Sequence, residues 1–445
     1  MPYRSISLFL LAALLAHGAV ADSSPKRFPD IVLITIDTLR ADRLSAYGYS
    51  RPTSPEIDRL LARGVRFSNA RVPEPLTAPS MVSMVTSLHP HEHGTSRNGL
   101  RMRPELPSLP NVLKRRGYVS AAFVSNWTLR DEISGLAEHF QEYQEVFTRM
   151  RWYVFAREAD GNDVTDAALD WIEDHLDQPK RRPFLAWVHY VEPHAPYRLH
   201  EEFQERLGFE GRGSDSDRYD TEVAFVDRAV GRLVDRLDER ISSQNLILVF
   251  ASDHGESLGE HSYWGHGRHL YEPTLHIPLG VVWERKLLPS VESAPATLLD
   301  ITPTILGLLD LEIPDGIFRG FDWTPVFAGQ AKAPLDRATW HQAHRGAVKR
   351  TGNTSARRQG LLEVGRVQGG SKEIFRVTRD RRWIFDLEAD PRELKSLTEK
   401  DSDPSEELQT WWDEVKKGLE AADDLPPPSL DAETLEQLKA LGYID

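Results

Sequence analysis

The sequence predicts an α/β fold, a mostly parallel sheet flanked by helices, with a small C-terminal antiparallel-sheet subdomain. Three observations carry this. From Asp30 onward, short apolar runs alternate with helix-period patterns, the mark of parallel strands joined by crossover helices. Three of these runs end in acidic or imidazole residues (ITID, WVHY, FASDH), where a sheet covered on both faces opens its ligand crevice. Past residue 360 the runs shorten and no helical pattern separates them.

Taken in order, IVLITID is a strand and PEIDRLLARG a helix. PSMVSMVTS is a second helix, with Pro79 suited to its first turn and Thr77 just ahead of a positive helix terminus with free N–H groups. YVSAAFVS is a strand, DVTDAALDWIEDHLDQ a helix and PFLAWVHY a strand. Residues 198 to 220 are polar and Gly-rich and read as a surface insertion. A long periodic helix from Asp220 then leads into the strand LILVFAS. Residues 329 to 360 read as a linker, and LLEVGRV, EIFRVT and RWIFDL as the small antiparallel sheet. The tail from Pro404 carries two amphipathic helical segments around LPPPSL.

Residues 1 to 21 have the pattern of a signal peptide: Arg4, the apolar ISLFLLAALLA, then Ala19-Val20-Ala21. The apolar stretch is shorter than the ~20 residues of a membrane span, so no stable membrane insertion is expected. The mature chain is expected to begin near Asp22 and to be exported, periplasmic or secreted. With 445 residues and 40% hydrophobic content, a large catalytic domain (22–330) and a C-terminal subdomain (331–445) are expected. There is no cysteine, hence no disulfide framework and no lipobox. A net charge of -14 argues against nucleic acid as a partner. An anionic substrate must then be held by local groups, such as a bound cation.

The strand ends place Asp37, Asp253 and His254 where two carboxylates and an imidazole converge, and His189 ends a third strand. Thr77 and Ser80 have two readings, helix caps or, for Thr77, a nucleophile beside the acidic strand ends. Asp37 and Asp253 also fit turn residues that close strands, the weaker reading given their order with DTLR and SDHG. His91, His93 and His189 read as packing or supporting residues, and Glu256, Glu260 and His261 flank the second acidic motif.

ITIDTLRADRLSAYGY, LTAPSMVSMVTSLHPHEHG, GYVSAAFVSN, HYVEPHAPY, SDHGESLGEH, WGHGRHLYEPTLHIPL, IFDLEADPRE and LKALGYID, in this order, resemble the sulfatase family of the alkaline phosphatase superfamily. Such enzymes carry C-x-P-S-R, or serine for cysteine, and oxidise that residue to formylglycine. Here the stretch is Thr77-Ala78-Pro79-Ser80-Met81, which closes formylglycine chemistry and puts sulfate specificity in doubt. The resemblance implies one divalent metal ion held by Asp37, Asp253, His254 and Thr77. Thr38 and His254 stand where many relatives have Asp and Asn, so manganese or zinc is preferred, with calcium the remaining option.

It further implies His194 and His266 as groups that contact the ester or protonate its leaving group. Asn126 and Arg268 stand in for the family's lysines at the non-bridging oxygens. The expected activity is hydrolysis of a small anionic phosphate or phosphonate ester through Thr77. The alternatives are a sulfuric ester hydrolase, a phospho-group transferase, or an inactive binding protein in which Met81 blocks the pocket.

Overall fold

In the computed structural model, residues 28–147, 149–151, 156–313, 316–346, 360–398 and 402–422 are described. The signal-peptide pattern and the second tail segment lie outside them. The apolar runs become the centre of a nine-stranded sheet. Its main strands are β1 (Asp30–Ile36), β2 (Val65–Arg71), β3 (Val119–Val124), β4 (Glu142–Glu145), β5 (Phe184–Tyr190), β6 (Leu246–Ser252), β7 (His276–Val282) and β8 (Ser290–Glu292).

They lie in the order β8-β2-β7-β6-β1-β5-β3-β4, and the short strand Ala296–Thr297 pairs beside β2. β1, β3, β5 and β6 run parallel. They are buried on both faces, which is why they read as continuous apolar runs. Only β7 runs antiparallel to its neighbours β2 and β6.

Alternation along each strand divides the core in two. Ile31, Leu33, Leu185, Trp187, Ile247 and Val249 face α2 (Thr77–Thr86) and α5 (Ile301–Leu308). Val32, Ile34, Ala186, Val188, Leu248 and Phe250 face α1 (Pro55–Leu61), α3 (Gly161–Leu176) and α4 (Asp215–Arg240).

Two predicted boundaries move. α4 starts at Asp215, not Asp220, because Ser214 and Asp217 form a capping box that the reading as surface insertion overlooked. The expected linker contains a strand, β9 (Thr339–His344), which pairs antiparallel with β10 (Leu361–Gln368). β11 (Ser371–Arg376) and β12 (Arg381–Asp386) complete this smaller sheet. α6 (Glu406–Ala422) lays Leu408, Trp411, Val415 and Leu419 against Leu361, Val364 and Phe375. β9 is joined to the turn before α2, since Gln342 N–H donates to Pro73 O at 2.9 Å.

Candidate active site

One face of four adjacent strands delivers the site. Thr35 lies opposite Ala251 on β6 and His189 on β5, and His189 lies opposite Val124 on β3. The next residues on that face, beyond the strand ends, are Asp37, Asp253 and Asn126. They emerge under the start of α2, and the strand-end expectation for Asp37, Asp253 and His189 is met. The turn after β1 is strained, with Thr38 at φ 55 although it is β-branched. Thr38 N–H donates to Asp253 Oδ1 at 2.9 Å and its carbonyl accepts from Tyr219 Oη at 2.8 Å, contacts that hold the turn.

Asp37, Asp253 and His254 are fully buried, and their donor atoms lie within 4.8 Å of one another. His254 Nε2 is 3.9 Å from Asp37 Oδ1 and 3.5 Å from Asp253 Oδ2. Those two carboxylate oxygens have no hydrogen-bond partner. His254 Nδ1 lies 2.9 Å from Gly255 O, so it carries the proton and Nε2 presents a lone pair. Burial and the neighbouring Asp253 push Asp37 well above the usual carboxylate range. Burial also raises Asp253 and pushes His254 well down. Two orphaned buried oxygens and an oriented nitrogen lone pair fit a divalent cation, which would reverse this cost of burying charge.

Thr77 lies in the first turn of α2 instead of ahead of it, and Leu76 is the N-cap. The Thr77 hydroxyl is 3.3 Å from His254 Nε2, and Ser80 Oγ donates to Glu74 O at 2.5 Å. Neither side chain caps the helix, so the capping reading fails for both. The expected row of free N–H groups is also reduced. Ala78 N–H donates to Asn98 Oδ1, Pro79 has no N–H, and Ser80 N–H donates to Leu76 O. Met81 packs into the core.

Three imidazoles adjoin one another: the His266 ring is 4.4 Å from that of His254 and 5.3 Å from that of His194. His266 Nδ1 lies 3.2 Å from Glu256 Oε1, and this carboxylate raises His266 despite the opposing effect of burial. Glu256, only a flanking residue in the sequence, thus orients an imidazole. His194 Nδ1 donates to Ala195 O at 2.7 Å, and burial pushes His194 down to about 3.

Asn126 Nδ2 donates to Asp37 Oδ2 and its Oδ1 accepts from Thr128, so the amide supports the Asp37 carboxylate and is not free to meet an ester oxygen through Nδ2. Arg268 is exposed, outside the buried cluster. His93 and His91 bond Ser83 and Gln342 and serve packing, as expected. Glu260 pairs with Arg40, and the His261 ring stacks on Tyr271.

One buried pair had no sequence signal: His344, at the end of β9, places Nδ1 3.0 Å from Glu74 Oε2 in the turn before Thr77. Its partner lies 270 positions away in sequence, beyond any local pattern.

The sulfatase family model matches residues 29–311. An N-acetylglucosamine-6-O-sulfatase of Bacteroides thetaiotaomicron is 23% identical, over 88% of this chain and 87% of that protein. Human arylsulfatase A is 26% identical, over 76% of this chain and 75% of its own length. Among solved structures, one bound to its substrate D-glucosamine-2-N,6-O-disulfate superposes with a TM-score of 0.69 at 20% identity, covering 91% of this chain and 100% of that one. The phosphonate monoester hydrolase of Agrobacterium radiobacter gives 0.67 at 17% identity, over 89% and 96%.

Proposed function

The chain belongs to the sulfatase family and is a hydrolase acting on ester bonds; within that class we propose that it cleaves small phosphate or phosphonate esters, with Thr77 as nucleophile. The observation that carries this reading is the Thr77 hydroxyl 3.3 Å from the lone-pair nitrogen of His254, next to two buried carboxylates with unpartnered oxygens.

Asp37, Asp253, His254 and Thr77 would hold one divalent cation. Manganese or zinc suits a set that mixes oxygen with imidazole nitrogen better than calcium does. When bound, the ion supplies positive charge to the ester oxygens and lowers the proton affinity of a hydroxyl beside it. Thr77 Oγ1, its proton lost to solvent water before the ester binds, attacks phosphorus in line as the bond to the leaving oxygen breaks.

His266 protonates the leaving oxygen. Glu256 holds its Nδ1 and sustains the protonated ring, whereas burial keeps His194 neutral. The product is a phospho-threonine. In the second step His266, now neutral, takes a proton from the attacking water and the phosphorus–Oγ1 bond breaks.

Formylglycine releases sulfate when its hydrate collapses, a route closed to a threonine. A sulfo-threonine would need direct hydrolysis, while a phospho-threonine beside a divalent ion has an ordinary hydrolytic exit. Sulfate ester hydrolysis is the second reading, favoured by the names of the relatives above. Residues 1–21 support export to the periplasm or outside the cell, with residues 331–445 as a C-terminal subdomain.

The test is kcat/KM on matched aryl phosphate, phosphonate and sulfate esters, for the parent and Thr77→Ala. The parent should prefer the phosphorus esters, and the variant should fall at least ~1000-fold on them. A parent that prefers sulfate, or a variant with undiminished rate on every ester, overturns the reading.

A further inference from the structure

An anionic ester needs hydrogen-bond donors aimed at its oxygens. Several groups suited to that duty are engaged elsewhere: Asn126 Nδ2 on Asp37, the Ala78 N–H on Asn98, and Arg268 in solvent. Met81, where the family motif has arginine, is in the core. We propose that His189 fills this gap, donating from Nε2–H to a non-bridging oxygen of the bound ester, in a tautomer fixed by Trp187 and Thr35. This rests on the reading of the site as an ester-hydrolysing centre.

The tautomer follows from counting protons. Trp187 Nε1–H donates to Thr35 Oγ1 at 2.8 Å, because an indole nitrogen has no other role. The Thr35 hydroxyl proton must then go to an acceptor, and the partner within reach is His189 Nδ1 at 2.8 Å. A nitrogen that accepts carries no proton, so the proton of this neutral ring sits on Nε2.

His189 is 0% exposed, and Nε2 has no protein partner. A buried N–H without an acceptor costs ~1–3 kcal/mol, a cost that a bound oxygen removes. The position is right for that. His189 lies level with Thr35, one step below Asp37 and Asp253 on the face covered by α2, and feels the charge of Asp253. A role as a further cation ligand does not fit. His189 stands outside the Asp37, Asp253 and His254 group, and Nε2 has no lone pair to give. A neutral donor on the crevice floor also adds no charge to bury.

The experiment combines nitrogen-15 NMR of the histidine side chains with kinetics on an aryl phosphate. In the parent, His189 should show the Nε2–H tautomer, and its signal should move when inorganic phosphate is added to the metal-loaded protein. Thr35→Val should mix the tautomers and lower kcat/KM ~10-fold or more, while Thr35→Ser restores both. His189→Phe should retain a full equivalent of metal and lose ~100-fold or more, mainly in kcat, with partial recovery in His189→Gln. An Nδ1–H tautomer in the parent, a signal indifferent to phosphate, or a metal-replete His189→Phe within about threefold of the parent in kcat overturns the proposal. A parent that turns over no ester overturns the functional reading instead, while tautomer and phosphate response still judge His189.

Discussion

Asp253 is asked to do two things with its two oxygens. Oδ1 accepts from the N–H groups of Thr38 and His254, at 2.9 and 2.7 Å, and so shapes the turn beyond β1. Oδ2 has no partner and stands 3.5 Å from His254 Nε2. Asp253→Asn keeps an acceptor for the turn but replaces Oδ2 by an amide donor, which repels a cation. The variant should lose its tightly bound metal and at least ~100-fold in turnover, read by elemental analysis and steady-state kinetics. It should also melt above the metal-free parent, because a buried carboxylate that is itself raised by burial and that raises Asp37 has gone. A variant with a full equivalent of metal and normal rate would remove Asp253 from the ligand set.

Elements act here by register and by capping. Strand register puts Asp37, Asp253, His189 and Asn126 on one face; the parallel core and the strand-end positions of Asp37, Asp253 and His189 were legible in the sequence, the shared face was not. β7 was not, because Pro278 and a register shift between Ile277 and Leu279 break its pattern.

The α1–α4 contact shows capping at long range. Asp227 of α4 accepts from the N–H groups of Glu56 and Ile57 at the start of α1, at 3.0 and 2.8 Å. Burial raises its carboxyl to about 7 in spite of these bonds. In the unfolded chain it ionises near ~3.9, so the folded state binds the extra proton and stability falls as pH rises from ~4 through about 7. Asp227→Asn keeps an acceptor without the charge. It should match the parent near pH 4 and exceed it by ~1–2 kcal/mol at pH 8, whereas Asp227→Ala, equally free of the titration, should lose ~1–2 kcal/mol near pH 4 and come out close to the parent at pH 8, measured by urea unfolding. Equal stability of parent and Asp227→Asn at pH 8 would mean that the N–H groups hold the carboxylate ionised.

Across the whole molecule, the smaller sheet is fastened to the site through polar groups, and this is why sequence patterns hid it. β9 reads as a linker because His341, Gln342 and His344 are buried by hydrogen bonding to the segment before α2 and its surroundings, not by apolar packing. His341 Nδ1–H donates to Val72 O at 2.7 Å while Nε2 accepts from Thr339 Oγ1 at 2.9 Å. Beside Ser83 of α2, His93 Nδ1 accepts from Thr95 N–H at 3.1 Å. Both rings must stay neutral to accept, and burial pushes both down to about 3.

Their unfolded value is ~6.5, so below that pH the unfolded chain takes up protons that the folded chain refuses. The stability these rings give is complete above ~6.5 and is lost as pH falls toward about 3. These two rings make the protein easier to unfold at pH 5 than at pH 7, against the opposite trend set by Asp227, each ring contributing up to ~1.4 kcal/mol per pH unit. His341→Gln, compared with the parent by denaturant titration from pH 7 to pH 5, should flatten that slope by close to one proton. A slope unchanged in both His341→Gln and His93→Gln would show that these imidazoles are protonated in the folded protein and that the acid sensitivity lies elsewhere.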